Sequence, residues 1–113
     1  MIRRAIYVRF SAECLAKASA AHWGDHLGGM MADALPKARV SSGEPWDDHA
    51  RAAWDWMWWI EWDDARDAHG FQQDPLWKSA AAMLEAQAVV VKGWNFQVQW
   101  PSNHLGGSET GNE

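Results

Sequence analysis

Apolar and polar positions alternate from the start of the chain. In Ile2–Phe10, Ile6, Val8 and Phe10 alternate with Tyr7 and Arg9, and this period of two predicts a strand. Ser11 offers an N-cap and Glu13 an acid in the first turn of a helix expected from about Ala12 to Leu35. Ala16, Ala20, Trp23, Leu27, Met30, Met31 and Ala34 recur there at helical spacing as one apolar stripe. Gly28-Gly29 interrupts the stripe at about 1 kcal/mol per glycine relative to alanine, so a break or a close approach is expected there. Pro36 ends the helix.

Alternation returns in Lys37–Ser42, a weaker strand, and a polar loop is expected from Gly43 to about Arg51. Ala53–Trp62 reads as a strong strand, with Trp54, Trp56, Trp58, Ile60 and Trp62 on one face and Asp55, Met57, Trp59 and Glu61 on the other. Asp63 and Asp64 cap a helix running to about Phe71. Asp74-Pro75 starts another over Leu76–Ala88. The last strand is Val89–Trp100, with Trp94, Phe96, Val98 and Trp100 facing one way. Residues 1–100 thus make one domain, and the Gly/Ser/Asn/Glu-rich stretch Pro101–Glu113 is expected to be disordered.

The order β-α-β-β-α-β is the split βαβ, or ferredoxin-like, α+β arrangement: an antiparallel sheet with its helices on one face. Neither set of strand positions is reliably polar, since Trp59 and Met57 oppose the other tryptophans and Tyr7 opposes Ile6 and Val8. A sheet apolar on both sides must bury its second face, and a two-fold partner is the simplest cover, so a homodimer is expected.

Composition narrows the function. The 113 residues carry 10 Lys+Arg against 15 Asp+Glu, a net charge of −5, which disfavours nucleic acid and a polybasic membrane surface. No apolar run approaches the roughly 18 residues of a membrane span, and the N-terminus does not read as a signal peptide. Cys14 is the single cysteine, so no internal disulfide forms, and a cytoplasmic setting is expected. The ten tryptophans exceed what a small core ordinarily needs.

His22-Trp23-Gly24-Asp25-His26-Leu27, then Leu35-Pro36-Lys37-Ala38-Arg39-Val40, resembles the first-helix signature of EthD-like proteins. Trp58–Trp62, Asp63-Asp64-Ala65-Arg66-Asp67-Ala68 and Gln73-Asp74-Pro75-Leu76-Trp77 are similar to that family's third strand and following helix. The chain has Leu27-Gly28 where the motif places a proline after its histidine. The resemblance implies a dimeric α+β barrel, with a pocket between each sheet and its first helix. It also implies relatives that include isomerases, cyclases, dehydratases, cofactor-free monooxygenases and haem-degrading enzymes.

The motif histidine falls on His26, which the helical wheel sets on the flank of the apolar stripe, with His22 one turn earlier. A histidine at the rim of an apolar pocket serves as acid or base near neutral pH; one bonded to a backbone carbonyl or left in solvent does not. Their i, i+4 spacing suits two imidazoles on one metal, but no third ligand is near and no metal is expected. Tyr7, a proton donor, and Arg9 and Arg39, oxyanion holders, alternate out of their strands' apolar sets; cross-strand pairing is the plainer role for each. Trp59 with Met57 beside it, one of Trp54, Trp56 or Trp58, and Trp23 and Met30 of the first helix are the candidate lining for a flat apolar substrate, while most of the tryptophans serve core and interface. His49 sits in an acidic loop, His69 on the outer surface of the second helix and His104 in the tail. Cys14 reads as a small core residue, and Asn95, Gln97 and Gln99 as a polar stripe.

The expected function is a small enzyme without metal or organic cofactor, of isomerase, cyclase, dehydratase or lyase type. It binds a hydrophobic or aromatic molecule and moves a proton with a histidine. Haem-degrading or cofactor-free oxygenating chemistry, or a ligand-binding dimer without catalysis, are the alternatives.

Overall fold

Alternating strands and serine- or aspartate-capped helices build the described part of the chain, residues 1–99 of a computed structural model. The elements in order are β1 (Ile2–Phe10), α1 (Ala12–Lys17), α2 (Ala20–Ala34), β2 (Arg39–Gly43), α3 (Asp48–Ala53), β3 (Trp56–Trp62), α4 (Ala65–Ala68), a 3-10 turn (Phe71–Gln73), α5 (Pro75–Gln87) and β4 (Ala88–Gln97). Ser11, Ser19, Asp47, Asp64 and Asp74 each accept a backbone N–H at the start of a helix, at about 1 kcal/mol apiece. Pro75 holds the first turn of α5, where no N–H is needed.

The strands lie in the order β2-β3-β1-β4, each antiparallel to its neighbour. This is the ferredoxin-like arrangement. Helices α2 and α5 cover one face, and Leu27, Met31 and Ala34 of α2 with Trp77, Ala80 and Leu84 of α5 join a single core with the inward residues of the sheet. The barrel that the family resemblance implies is not formed. β2 and β4 pair on one side only and remain edges, so the sheet is open. Four strands are half the roughly eight that close even a small barrel.

Tryptophans fill the space between sheet and helix. Trp58 and Trp62 are fully buried and Trp56 nearly so. The Trp58 indole N–H donates to the Gly24 carbonyl at 3.0 Å. Such large side chains demand a thin helix surface opposite. A Cβ on Gly24 would lie 2.3 Å from the Trp56 ring, and one on Gly28 would lie 3.3 Å from Trp58 Nε1. Gly28 therefore marks the close approach and Gly29 has nothing within 4 Å, while the helix runs unbroken through both.

The expected helix over Ala12–Leu35 breaks elsewhere, at Ala18, which is extended, and Ser19 opens α2 afresh. The expected loop after β2 holds a short helix, α3, because Asp47 caps the Ala50 N–H. β3 consequently starts at Trp56. Trp54, expected beside Trp56 in the core, ends α3 and packs on Tyr7 with ring centroids 5.6 Å apart. β4 ends at Gln97. The readings made for Trp100, His104 and the tail lie outside the described residues.

Adding a methyl at Gly24 forces the Trp56 indole to move, whereas Gly29 is in open space. We expect Gly24→Ala to lose about 1–3 kcal/mol and Gly29→Ala to gain about 0.5–1 kcal/mol. Urea unfolding of the two variants measures both; equal effects would contradict the packing described.

Candidate functional site

Between α5 and the β1–β4 side of the sheet runs a groove of about 390 Å³. Ile6, Trp77, Ala81, Leu84 and Val91 give it apolar walls, and Gln72, Lys78 and Glu85 also line it. The sheet side of the groove carries one charge, Arg4, facing Lys78 and Glu85 of α5. The pairing Arg4↔Asn95 and Ile6↔Gly93 sets Arg4 on the helix-facing side of β1, in the same set as Ile6, Val8 and Phe10. Its Nη1 donates to Asn95 Oδ1 at 2.8 Å, and its guanidinium carbon lies 5.7 Å from the Phe71 ring centroid. Its Nε is buried with no hydrogen-bond partner among the described residues. Burial lowers its pKa from the ordinary arginine value, yet an arginine so placed keeps its proton at neutral pH.

Sequence reasoning missed Arg4. The signal was present in the register, where Arg4 is the one charge among the helix-facing positions Ile2, Arg4, Ile6, Val8 and Phe10.

The sequence-predicted strand residues gather on the opposite face. Tyr7 pairs across with Met57, Ser41 with Trp59 and Arg39 with Glu61, so Tyr7, Met57, Trp59, Arg9 and Arg39 all point away from the helices. Tyr7 touches Trp54 and, with ring centroids 5.8 Å apart, Trp94. Arg9 caps α3: its Nε donates to the Ala53 carbonyl at 2.9 Å and its Nη2 to the carbonyls of Ala52 and Arg51. Arg39 Nη2 sits 3.0 Å from Asp63 Oδ1, and Arg3 binds Glu61 at 2.6 Å while its guanidinium carbon stands 5.0 Å from the Trp59 ring. Arg9 and Arg39, the two expected oxyanion holders, thus already have protein partners. Hydrogen bonding to Arg39 holds the Asp63 carboxyl below the usual carboxylate range.

His22 and His26 stand exposed on α2 and line neither of the grooves described here. The apolar stripe of α2 is narrower than the wheel implies, with burial confined to Gly24, Leu27, Met31 and Ala34. Trp23 and Met30 are half-buried at its margin, and the Trp23 N–H donates to the Cys14 carbonyl at 3.0 Å. Cys14 is buried, which pushes its thiol pKa up. His49 is exposed in α3.

His69 lines a second groove, of about 430 Å³, with Leu35, Lys37, Trp62, Asp67 and Phe71. Its charged residues are engaged: Lys37 pairs with Asp67 at 3.4 Å, and Asp74 caps α5. Among the described residues, no group of three or more His, Cys, Asp or Glu is placed to hold a metal ion. Among them too, no helix is long and apolar enough to cross a membrane.

No protein-family model matches the chain, and no curated protein matches it. Solved structures do. A hydroxynitrile lyase from Passiflora edulis superposes with a TM-score of 0.71 at 10% identity, over 88% of this chain and 94% of that one. The Arabidopsis thaliana protein At3g17210 gives 0.70 at 6% identity, over 90% and 99%. A dimeric ferredoxin-like protein of unknown function from Thermobifida fusca gives 0.63 at 14%, over 86% and 90%. At such identities these matches establish the ferredoxin-like fold and not the EthD-like family.

The Asp63 carboxylate, with its folded pKa depressed by Arg39, adds stability above the unfolded carboxylate pKa and loses it as pH falls through the folded value. Urea midpoints of wild type and Arg39→Ala should therefore differ near neutrality and converge as pH drops from about 5 to about 2. A constant separation would mean that the pair contributes nothing.

Proposed function

We propose that this protein is a homodimer that binds a hydrophobic small molecule in the groove beneath α5. The groove itself carries the reading. Its volume of about 390 Å³, its apolar walls and its few polar residues have the make-up of small-molecule sites. On the α2 side, by contrast, Trp56 and Trp58 occupy the space that a ligand would need.

The dimer rests on the other face of the sheet. Trp94 and Phe96 are 48% and 50% exposed there, beside Tyr7, Trp54, Met57 and Trp59. An apolar patch of this kind marks an interaction surface. Arg3, Glu61, Arg39 and Asp63 at one end of that face offer both signs of charge, as a surface that meets its own copy requires. The Thermobifida fusca protein with the same fold is named as dimeric.

The hydroxynitrile lyase among the matching structures favours a second reading, proton-transfer chemistry of lyase or isomerase type on the bound molecule. His26 lies outside the groove, so on that reading a group of the groove wall moves the proton and His26→Ala retains turnover.

Two measurements test the proposal. Size-exclusion chromatography should show wild type at about twice 12.7 kDa and Trp94→Glu near 12.7 kDa; a monomeric wild type would overturn the dimer. Calorimetric titration with 2-naphthamide should show binding that Ala81→Phe, which fills the groove, weakens at least about tenfold. Unchanged affinity in that variant would exclude the groove.

A further inference from the structure

Each arginine of β1 has a different fate. Arg3 meets a carboxylate, and Arg9 meets three backbone carbonyls. Arg4 meets neither. None of the described ion pairs includes it, its Nη1 has a neutral amide, its flat face has Phe71, and its Nε has nothing. Holding a guanidinium half out of water without a counter-charge opposes folding. The fold nevertheless makes room for it. An ideal Cβ at residue 93 would lie 2.7 Å from Arg4 Nη2, so Gly93 leaves open the strip of β4 on which the guanidinium rests.

The place where Arg4 stands is the wall of the groove beneath α5. We infer that Arg4 is the anion-recognising residue of that groove, and that its ligand is a hydrophobic molecule bearing a single carboxylate. The inference rests on the groove being the ligand site. Arg4 Nη2 makes no hydrogen bond among the described residues and is the donor that meets a carboxylate oxygen, and charge-assisted bonds of this type are the strong ones. The remaining walls, Ile6, Trp77, Ala81, Leu84 and Val91, take the apolar body of the ligand. A phosphate ester fits less well. It brings about two negative charges, and the groove that supplies Arg4 and Lys78 also places Glu85 against them.

The test compares two probes of equal shape, 2-naphthoate and 2-naphthamide, titrated by calorimetry into the full chain. Wild type should bind the carboxylate at least about tenfold more tightly than the amide. Arg4→Gln should abolish that preference, with the carboxylate losing at least about tenfold in affinity. Gly93→Ala displaces the guanidinium without removing its charge, and should reduce the preference in a protein whose thermal unfolding stays cooperative. This second variant keeps the test intact if Arg4→Gln does not fold. Equal affinity of the two probes for wild type, or a preference that survives both variants, overturns the role of Arg4 and leaves the groove as a ligand site. Absence of binding by either probe, or binding indifferent to Ala81→Phe, overturns the groove and the inference with it.

Discussion

The width of an indole governs the space between the sheet and α2. Trp56, Trp58 and Trp62 project from alternate positions of one central strand toward the helices. A helix carrying ordinary side chains could not pass over them at packing distance. Gly24 and Gly28, one turn apart, supply the missing depth. The same pair exposes a backbone acceptor. The carbonyl of residue 24 normally bonds the N–H of residue 28 in an α-helix. With no side chain at 28, the Trp58 N–H also reaches that carbonyl. A large side chain is thereby buried with its polar atom satisfied, as aromatic cores require. Among the described residues the Trp56 N–H lacks such a partner, and its neighbour across the gap is again Gly24.

The consequence reaches across the sheet. Because the tryptophans fill the space beneath Gly24 and Gly28, the two grooves described among residues 1–99 lie toward α5 and at the C-terminal end of α2. α5 presents small residues there, with Ala80 buried and Ala81 and Ala82 lining the groove. The two faces of the sheet then divide the chemistry. One is helix-covered and holds Arg4 with its apolar walls. The other carries Tyr7, Trp54, Trp59 and Trp94 together with an ion-paired end.

Much of the fold was legible in the sequence. The alternation in β1 and β3 assigns their faces correctly from Ile6 to Phe10 and from Trp56 to Trp62, and the order of elements leads directly to the ferredoxin-like sheet. The failures have local causes. A capping serine at position 19 outweighs an unbroken run of alanine-rich helix formers, so one expected helix becomes two. Asp47 nucleates a short helix in a segment that composition marks as loop, and this helix carries Trp54 to the far face. The site was less legible. His22 and His26 draw attention by residue type and by the family motif, whereas their positions relative to the core depend on how wide a stripe α2 buries. Arg4 is conspicuous only by its parity within β1, because no residue near it in sequence hints at the Phe71, Gly93 and Asn95 that surround it.

The contact between Arg4 and Gly93 also constrains how this chain can diverge. The guanidinium occupies the volume that a side chain at 93 would fill, on the neighbouring strand and the same face of the sheet. The two positions therefore form an exchangeable pair. A lineage that shortens residue 4 frees residue 93 to grow, and one that keeps arginine at 4 but adds a side chain at 93 must seat the guanidinium elsewhere. Among divergent copies of this fold, a glycine at 93 beside an arginine at 4 would thus report that the guanidinium still rests on β4 beneath α5, even where the residues lining the groove have changed beyond recognition.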